Sequence, residues 1–223
     1  TGMCEEHKYK PMKKALIIIL SFLIMASVAT VSHAWLIYHK PEFKGKVIDS
    51  ETKEPIEGAV VVAVYNKSTI GLGAGTVSDI INVRETLTDK EGIFHIPSYT
   101  TIIQPFSWKS YTSFIVFKPG YGSFPNYHIS PPKLGISPEI FFSTGKMGEE
   151  GEIGWDYKEN KRIKVLFGVV ELPPLKTREE REKKGLHSRP DPTIPDYKVK
   201  NLMKAINEEN AFLGFPLYKL EDK

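Results

Sequence analysis

Residues 58–65 read GAVVVAVY, bounded by Gly58 and followed by Asn66. The run is short, rich in Val and without helical periodicity, so it predicts a buried strand. Upstream of it, residues 42–49 place Phe43, Gly45 and Val47 on one parity. Downstream, residues 84–88 lead through Asp89-Lys90-Glu91-Gly92 into residues 93–96. That pattern predicts a hairpin, because Asp accepts from turn amides and Gly takes positive φ. Residues 113–118 (SFIVFK) predict a further strand closed by Pro119-Gly120. Residues 162–172 (RIKVLFGVVEL) predict a last long strand, stopped by Pro173-Pro174. No helix-period segment falls between residues 42 and 174. Short strands punctuated by Gly and Pro predict an all-β sandwich.

Two stretches interrupt the pattern and read as long loops: residues 67–83, with Gly71, Gly73 and Gly75, and residues 125–160, with Pro131, Pro132 and Pro138. Loops of that length in a compact domain bind something or are disordered. After Pro174 the character changes. Thr177-Arg178-Glu179-Glu180 fits a capping box, and Gly185 fits the matching helix end. This helix is charged all round and reads as solvated. Past Pro190, Pro192 and Pro195, Asp196 is placed to cap a second helix running to Gly214. Val199, Leu202, Met203, Ile206 and Leu213 form its apolar stripe. The stripe must pack on the sandwich, on a second copy or on another partner.

Several of these segments carry a resemblance. Gly45-Lys46-Val47-Ile48-Asp49, Lys53-Glu54-Pro55-Ile56-Glu57-Gly58-Ala59-Val60-Val61-Val62, Thr88-Asp89-Lys90-Glu91-Gly92-Ile93-Phe94 and Lys118-Pro119-Gly120-Tyr121 occur in that order. Together they resemble the carboxypeptidase regulatory-like domain family over residues 42–122. The resemblance implies a seven-stranded transthyretin-like (prealbumin-like) Greek-key sandwich. It also implies a non-catalytic accessory role on exported or cell-surface proteins. The long loops and the helical tail depart from the family pattern.

At the N-terminus, Lys13-Lys14 precedes an apolar run over residues 15–31, and Ser32-His33-Ala34 offers small residues for cleavage between Ala34 and Trp35. This is the layout of a secretory signal peptide over residues 1–34. Met12 is the expected translation start, with residues 1–11 an upstream over-extension. The competing reading is an uncleaved anchor over residues 15–38, long enough to cross about 30 Å of hydrocarbon. Both readings put the remainder of the chain outside the cytosol, periplasmic or extracellular. The expected organisation is then a sandwich over 40–174 and a helical extension over 175–223.

Net charge is +3, with 30 basic against 27 acidic residues. Loss of residues 1–34 removes four lysines and two glutamates and leaves +1. Such a balance argues against a dedicated nucleic-acid binder, which gathers Lys and Arg into a stripe. Cys4 is the sole cysteine, so an internal disulfide and a Cys-based zinc site are excluded.

The motifs that would carry catalysis fail on spacing. His39-Lys40-Pro41-Glu42 matches H-x-x-E, but the proline prevents both side chains from sharing one regular element. His95, His128 and His187 are isolated. There is no G-x-S-x-G. The tail Lys219-Leu220-Glu221-Asp222-Lys223 lacks the Tyr-Arg-Gly-Ser ending of the hydroxyisourate hydrolases that share the transthyretin-like fold. Gly71-Leu72-Gly73-Ala74-Gly75 lacks the lysine of a P-loop. Asp89 and Glu91 supply too few oxygens for calcium. No enzyme, metal or cofactor is expected.

Aromatic residues are the remaining signal: Phe106, Trp108, Tyr111, Phe114, Phe117, Tyr121, Phe124 and Tyr127 lie close together. Phe114 and Phe117 have opposite strand parity, so they need not both be core. Trp108 and Tyr111, read as loop residues, are the candidate exposed contacts. Leu202 and Ile206 are the candidate contacts on the tail. The expectation is a non-catalytic exported module that binds or scaffolds another cell-envelope component, a protein or a polysaccharide. A carbohydrate-binding module for envelope polysaccharide is the alternative. Membrane contact is expected only if the N-terminal segment stays uncleaved.

Overall fold

A computed structural model describes residues 16–21, 23, 37–71, 75–103, 107–125, 136–156, 160–186 and 190–220. Ten strands lie in four sheets among these residues. Two three-stranded sheets form the body. The first runs β10 (Val169–Leu172), β2 (Phe43–Asp49), β5 (Ile93–Ile96), with β10 parallel and β5 antiparallel to β2. The second runs β4 (Gly75–Leu87), β3 (Val60–Gly71), β7 (Ser107–Phe117), all antiparallel. Two smaller pairs flank them: β1 (Ile37–Lys40) with β6 (Tyr99–Ile102), and β8 (Glu150–Asp156) with β9 (Lys161–Leu166).

The valine-rich run explains the layering. Val61, Ala63 and Tyr65 face a core shared with Phe43, Val47, Phe94, Ile96, Val170 and Leu172 of the first sheet. Val60, Val62 and Val64 point the other way, into a second core. That second core is covered by helix α3 (Lys200–Leu213), through Leu202, Met203 and Ile206. The run is apolar throughout because both of its faces are covered. Phe114 belongs to the inner core and Phe117 to the outer one, so opposite parity leaves both buried. The chain is therefore mostly strand, in a sandwich-like pair of sheets with a helix on one outer face.

Four sequence expectations change in the structure. The turn at Asp89–Gly92 does not close a hairpin, because β4 pairs with β3 while β5 pairs with β2. The turn passes the chain from one sheet to the other. Asp89 Oδ1 accepts from the amides of Glu91 and Ile93, and Thr88 ties the corner by donating to the Ile56 carbonyl at 2.6 Å. Residues 67–71 and 75–83 are strand rather than loop. Lys67 pairs with Asp79 and Thr69 with Val77, so β3 and β4 extend as a long hairpin. Residues 161–172 form two strands rather than one, divided at Phe167-Gly168, where Gly168 has φ 75°. Within 125–160, α1 (Pro138–Phe141) carries Phe141 and Phe142 into the inner core as a plug.

In the tail, α2 (Arg178–Lys184) has the capping box expected at Thr177 and Glu180 and no buried residue. Helix α3 begins after Asp196, at Lys200, with Val199 at its N-cap and no side-chain cap of its own. Glu85 on β4 supplies that cap, accepting from the amides of Asn201 at 2.8 Å and Leu202 at 3.1 Å.

Strand β1 covers Ile37–Lys40, ahead of the boundary at residue 40 expected for the sandwich. Tyr38 is fully buried in the inner core. Residues 16–21 and 23 are helical with exposed apolar side chains. Among the described residues no helix is long and apolar enough to cross a membrane.

Candidate functional site

The candidate site is built around an irregularity in β7. Tyr65 on β3 faces Thr112, and Lys67 faces Lys109, so Ser110 and Tyr111 together oppose one residue, Asn66. This is a β-bulge, a device that re-aims side chains at an edge. Its backbone groups are satisfied by side chains. Asn66 Nδ2 donates to the Tyr111 carbonyl at 3.3 Å. Lys40 Nζ donates to the Ser110 carbonyl at 2.6 Å. Glu139 Oε1 accepts from the Thr112 amide at 2.9 Å. Lys40 and Glu139 also pair directly with each other, and Lys40 is 4% exposed. Ser137 caps α1 by accepting from the Glu139 amide, and Pro138 opens the helix, so Glu139 is held in place locally.

Beside this pair lie three tyrosines. The Tyr65 ring sits 4.9 Å from that of Tyr99, and Tyr38 lies 6.0 Å from Tyr99 on its other contact. The Arg84 guanidinium stacks 5.2 Å over Tyr99 while donating to the carbonyls of Pro97 and Ser98. Tyr38 donates to the Asn66 carbonyl at 3.1 Å. Burial raises the Tyr38 phenol well above its ordinary value, and the Glu139 charge adds to this. Burial likewise pushes Tyr65 up to about 12. Both phenols therefore stay protonated at physiological pH, able to donate a hydrogen bond but unfit as bases.

Beside the bulge is a groove of about 430 Å³, lined by residues that include Tyr111, Phe114, Phe124, Pro125, Ile136 and Pro138. Its walls are almost wholly apolar. Tyr111 is 59% exposed at its rim, and Trp108 on the same strand is 40% exposed. No family model, curated protein or solved structure matches this chain.

Trp108 and Tyr111 are thus exposed, but on strand β7 rather than in a loop as expected. Trp108 pairs with Ser68 of the central strand β3, and β7 is the edge strand of that sheet. Leu202 and Ile206 are fully buried against Val60, Val62 and Phe117. The tail stripe docks on its own domain, so those two side chains do not face a partner in this conformation. Ala34 and Trp35 lie outside the described residues, as do His128 and His187. His39 meets Thr100 Oγ1 across β1–β6, and His95 meets Glu42, so the H-x-x-E residues do not converge. Among the described residues no group of three or more His, Cys, Asp or Glu is placed to hold a metal ion.

Lys40, Glu139 and Asn66 escaped the sequence reading. Ser137-Pro138-Glu139 does carry a helix-start signature that could have found α1. Nothing local connects Glu139 to Lys40, its partner 99 positions away.

Proposed function

We propose that this chain is a non-catalytic, exported β-sandwich module of the carboxypeptidase regulatory-like, transthyretin-like type. Its work is to bind a protein of the cell envelope at the groove beside Tyr111. The observation that carries this reading is the exposed Tyr111, held on a bulge at the rim of an apolar groove. A partner's apolar side chain would be buried there against Phe114, Phe124 and Pro138, with Tyr111 as a rim anchor. Apolar walls suit a protein side chain better than a sugar, whose hydroxyls need hydrogen-bonding groups next to the stacking ring.

The family reading draws support from where its glycines sit. A Cβ on Gly45 would lie 2.6 Å from the Phe94 ring, and Gly120 and Gly58 take φ values of 85° and 68°. These three glycines of the resembling segments therefore occupy positions of close approach or tight turning.

The test is affinity capture from the native envelope fraction with the wild type and with a Trp108→Ala/Tyr111→Ser double variant. A protein retained by the first and lost by the second supports the reading. Equal retention by both removes the groove as the contact. Quenching of Trp fluorescence by envelope polysaccharide, abolished by Trp108→Ala, would favour the carbohydrate alternative.

A further inference from the structure

Lys40 Nζ and Glu139 Oε1 are held in contact by groups from three elements of the fold. We propose that these two side chains condense to an intramolecular amide bond between Lys40 Nζ and Glu139 Cδ.

Four observations converge on this. The Lys40 amine is almost completely withdrawn from water and lies 5.5 Å from the centre of the Tyr38 ring. Its position is fixed by the Ser110 carbonyl, which holds one N–H at 2.6 Å. Glu139 is fixed by the N-terminal turn of α1. The Thr112 amide, 2.9 Å from Glu139 Oε1, is placed to stabilise negative charge on that oxygen. Amine, carboxyl and oxyanion donor are thus held together by three separate elements: β1, α1 and β7.

Holding the reactants in contact replaces a bimolecular encounter with an intramolecular one. Burial supplies the driving force. The Lys40 charge is held out of water and that of Glu139 partly so, at a desolvation cost, and condensation removes both charges. The step balances without any further reactant. The Lys40 ammonium gives up one proton and the Glu139 carboxylate takes one up on Oε2, at its solvent-exposed side, which leaves Oε1 free to become the oxyanion. The amine lone pair attacks Cδ, forming the N–C bond, and the oxyanion forms on Oε1 against the Thr112 amide. The attacking nitrogen gives its second proton to the hydroxyl group, the C–O bond to Oε2 breaks, and one water departs. Glu139 is 26% exposed along its side chain, which leaves that water a route out.

The product would close a loop between positions 99 apart, in a chain whose sole cysteine excludes an internal disulfide. A cross-link of this span restricts the unfolded chain as a disulfide does.

Mass spectrometry of the folded full-length wild type decides the matter, with near-UV circular dichroism as the check on folding. The expected result is a mass one water below the sequence value, with a branched tryptic peptide joining the Lys40 and Glu139 segments. Lys40→Arg and Glu139→Ala should each restore the full mass. A folded wild type with the full sequence mass overturns the proposal and leaves an ion pair. So does a water loss that persists in Lys40→Arg.

Discussion

Two carboxylates, one buried and one half-buried, respond to pH in opposite senses. Asp49 is 8% exposed, and its Oδ1 accepts from the amides of Glu51 at 2.7 Å and Thr52 at 3.0 Å, while Oδ2 accepts from the Tyr121 hydroxyl at 3.2 Å. Burial pushes its carboxyl up, but these hydrogen bonds outweigh burial and hold it below the usual range. A depressed carboxylate stabilises the fold above its unfolded value of about 3.9, and the contribution is lost as pH falls through the folded value. Asp49→Asn should lower Tm at pH 7 and flatten the acid side of the curve, read by thermal melts between pH 7 and pH 2. For Glu85, burial wins over the amides of Asn201 and Leu202, and its carboxyl is raised. Its protonated form is favoured in the fold, so its contribution to stability grows as pH falls and is complete below the unfolded value of about 4.3. Glu85→Gln keeps an acceptor for the helix amides without the charge. Tm at pH 7 should match or exceed wild type, with the gap closing toward pH 4. A large loss at pH 7 would contradict that ordering. Gly92 is a third local constraint: it has φ 73°, and a Cβ would strike the Val47 carbonyl. Gly92→Ala should cost about 1–3 kcal/mol in urea unfolding. Gly92 was legible in the sequence because a turn glycine answers to its neighbours. Lys40 was not, because its partners come from distant segments.

At the scale of elements, α3 is the most informative. Its apolar stripe was legible from spacing alone, and Val199, Leu202, Met203, Ile206 and Leu213 are all buried. What covers the stripe was open in the sequence, and the structure answers with the outer face of β3. Ile206→Ala should therefore destabilise by about 2–5 kcal/mol, the usual cost of opening a cavity in a packed core. A loss under about 1 kcal/mol would mean that the helix is only loosely docked. The clamp between α2 and α3 is electrostatic. Arg181 binds Glu209 through Nε at 2.7 Å and Nη2 at 2.5 Å, and Glu209 also accepts from the Gly120 amide at 2.9 Å. Glu209 is fully buried, and Arg181 stacks 3.6 Å over Phe212. Arg181→Met would leave a buried carboxylate without its cation, at a cost of about 3–5 kcal/mol. The capping box at Thr177 was readable because both partners lie within one turn. The cap of α3 was not, because Glu85 reaches it from 116 positions away.

For the whole molecule, the layers are interdependent. The second sheet has one face against the first sheet and the other beneath α3. Removing residues 176–223 would expose Val60, Val62, Val64 and Phe117 together. Such a truncation should bind hydrophobic dye, lose solubility and melt at lower temperature than the full chain. If it instead remained soluble with an unchanged melting curve, the helix layer would contribute nothing to the fold. The valine-rich strand, the Asp89–Gly92 turn, the capping box and the apolar stripe could be read before any folding, because each depends on residues within a few positions of one another. The division of β4 and β5 between two sheets, the inward burial of Leu202 and Ile206, and the meeting of Lys40 with Glu139 arise from tertiary packing. Those outcomes depend on which distant surfaces exclude water together, and no local pattern encodes that choice.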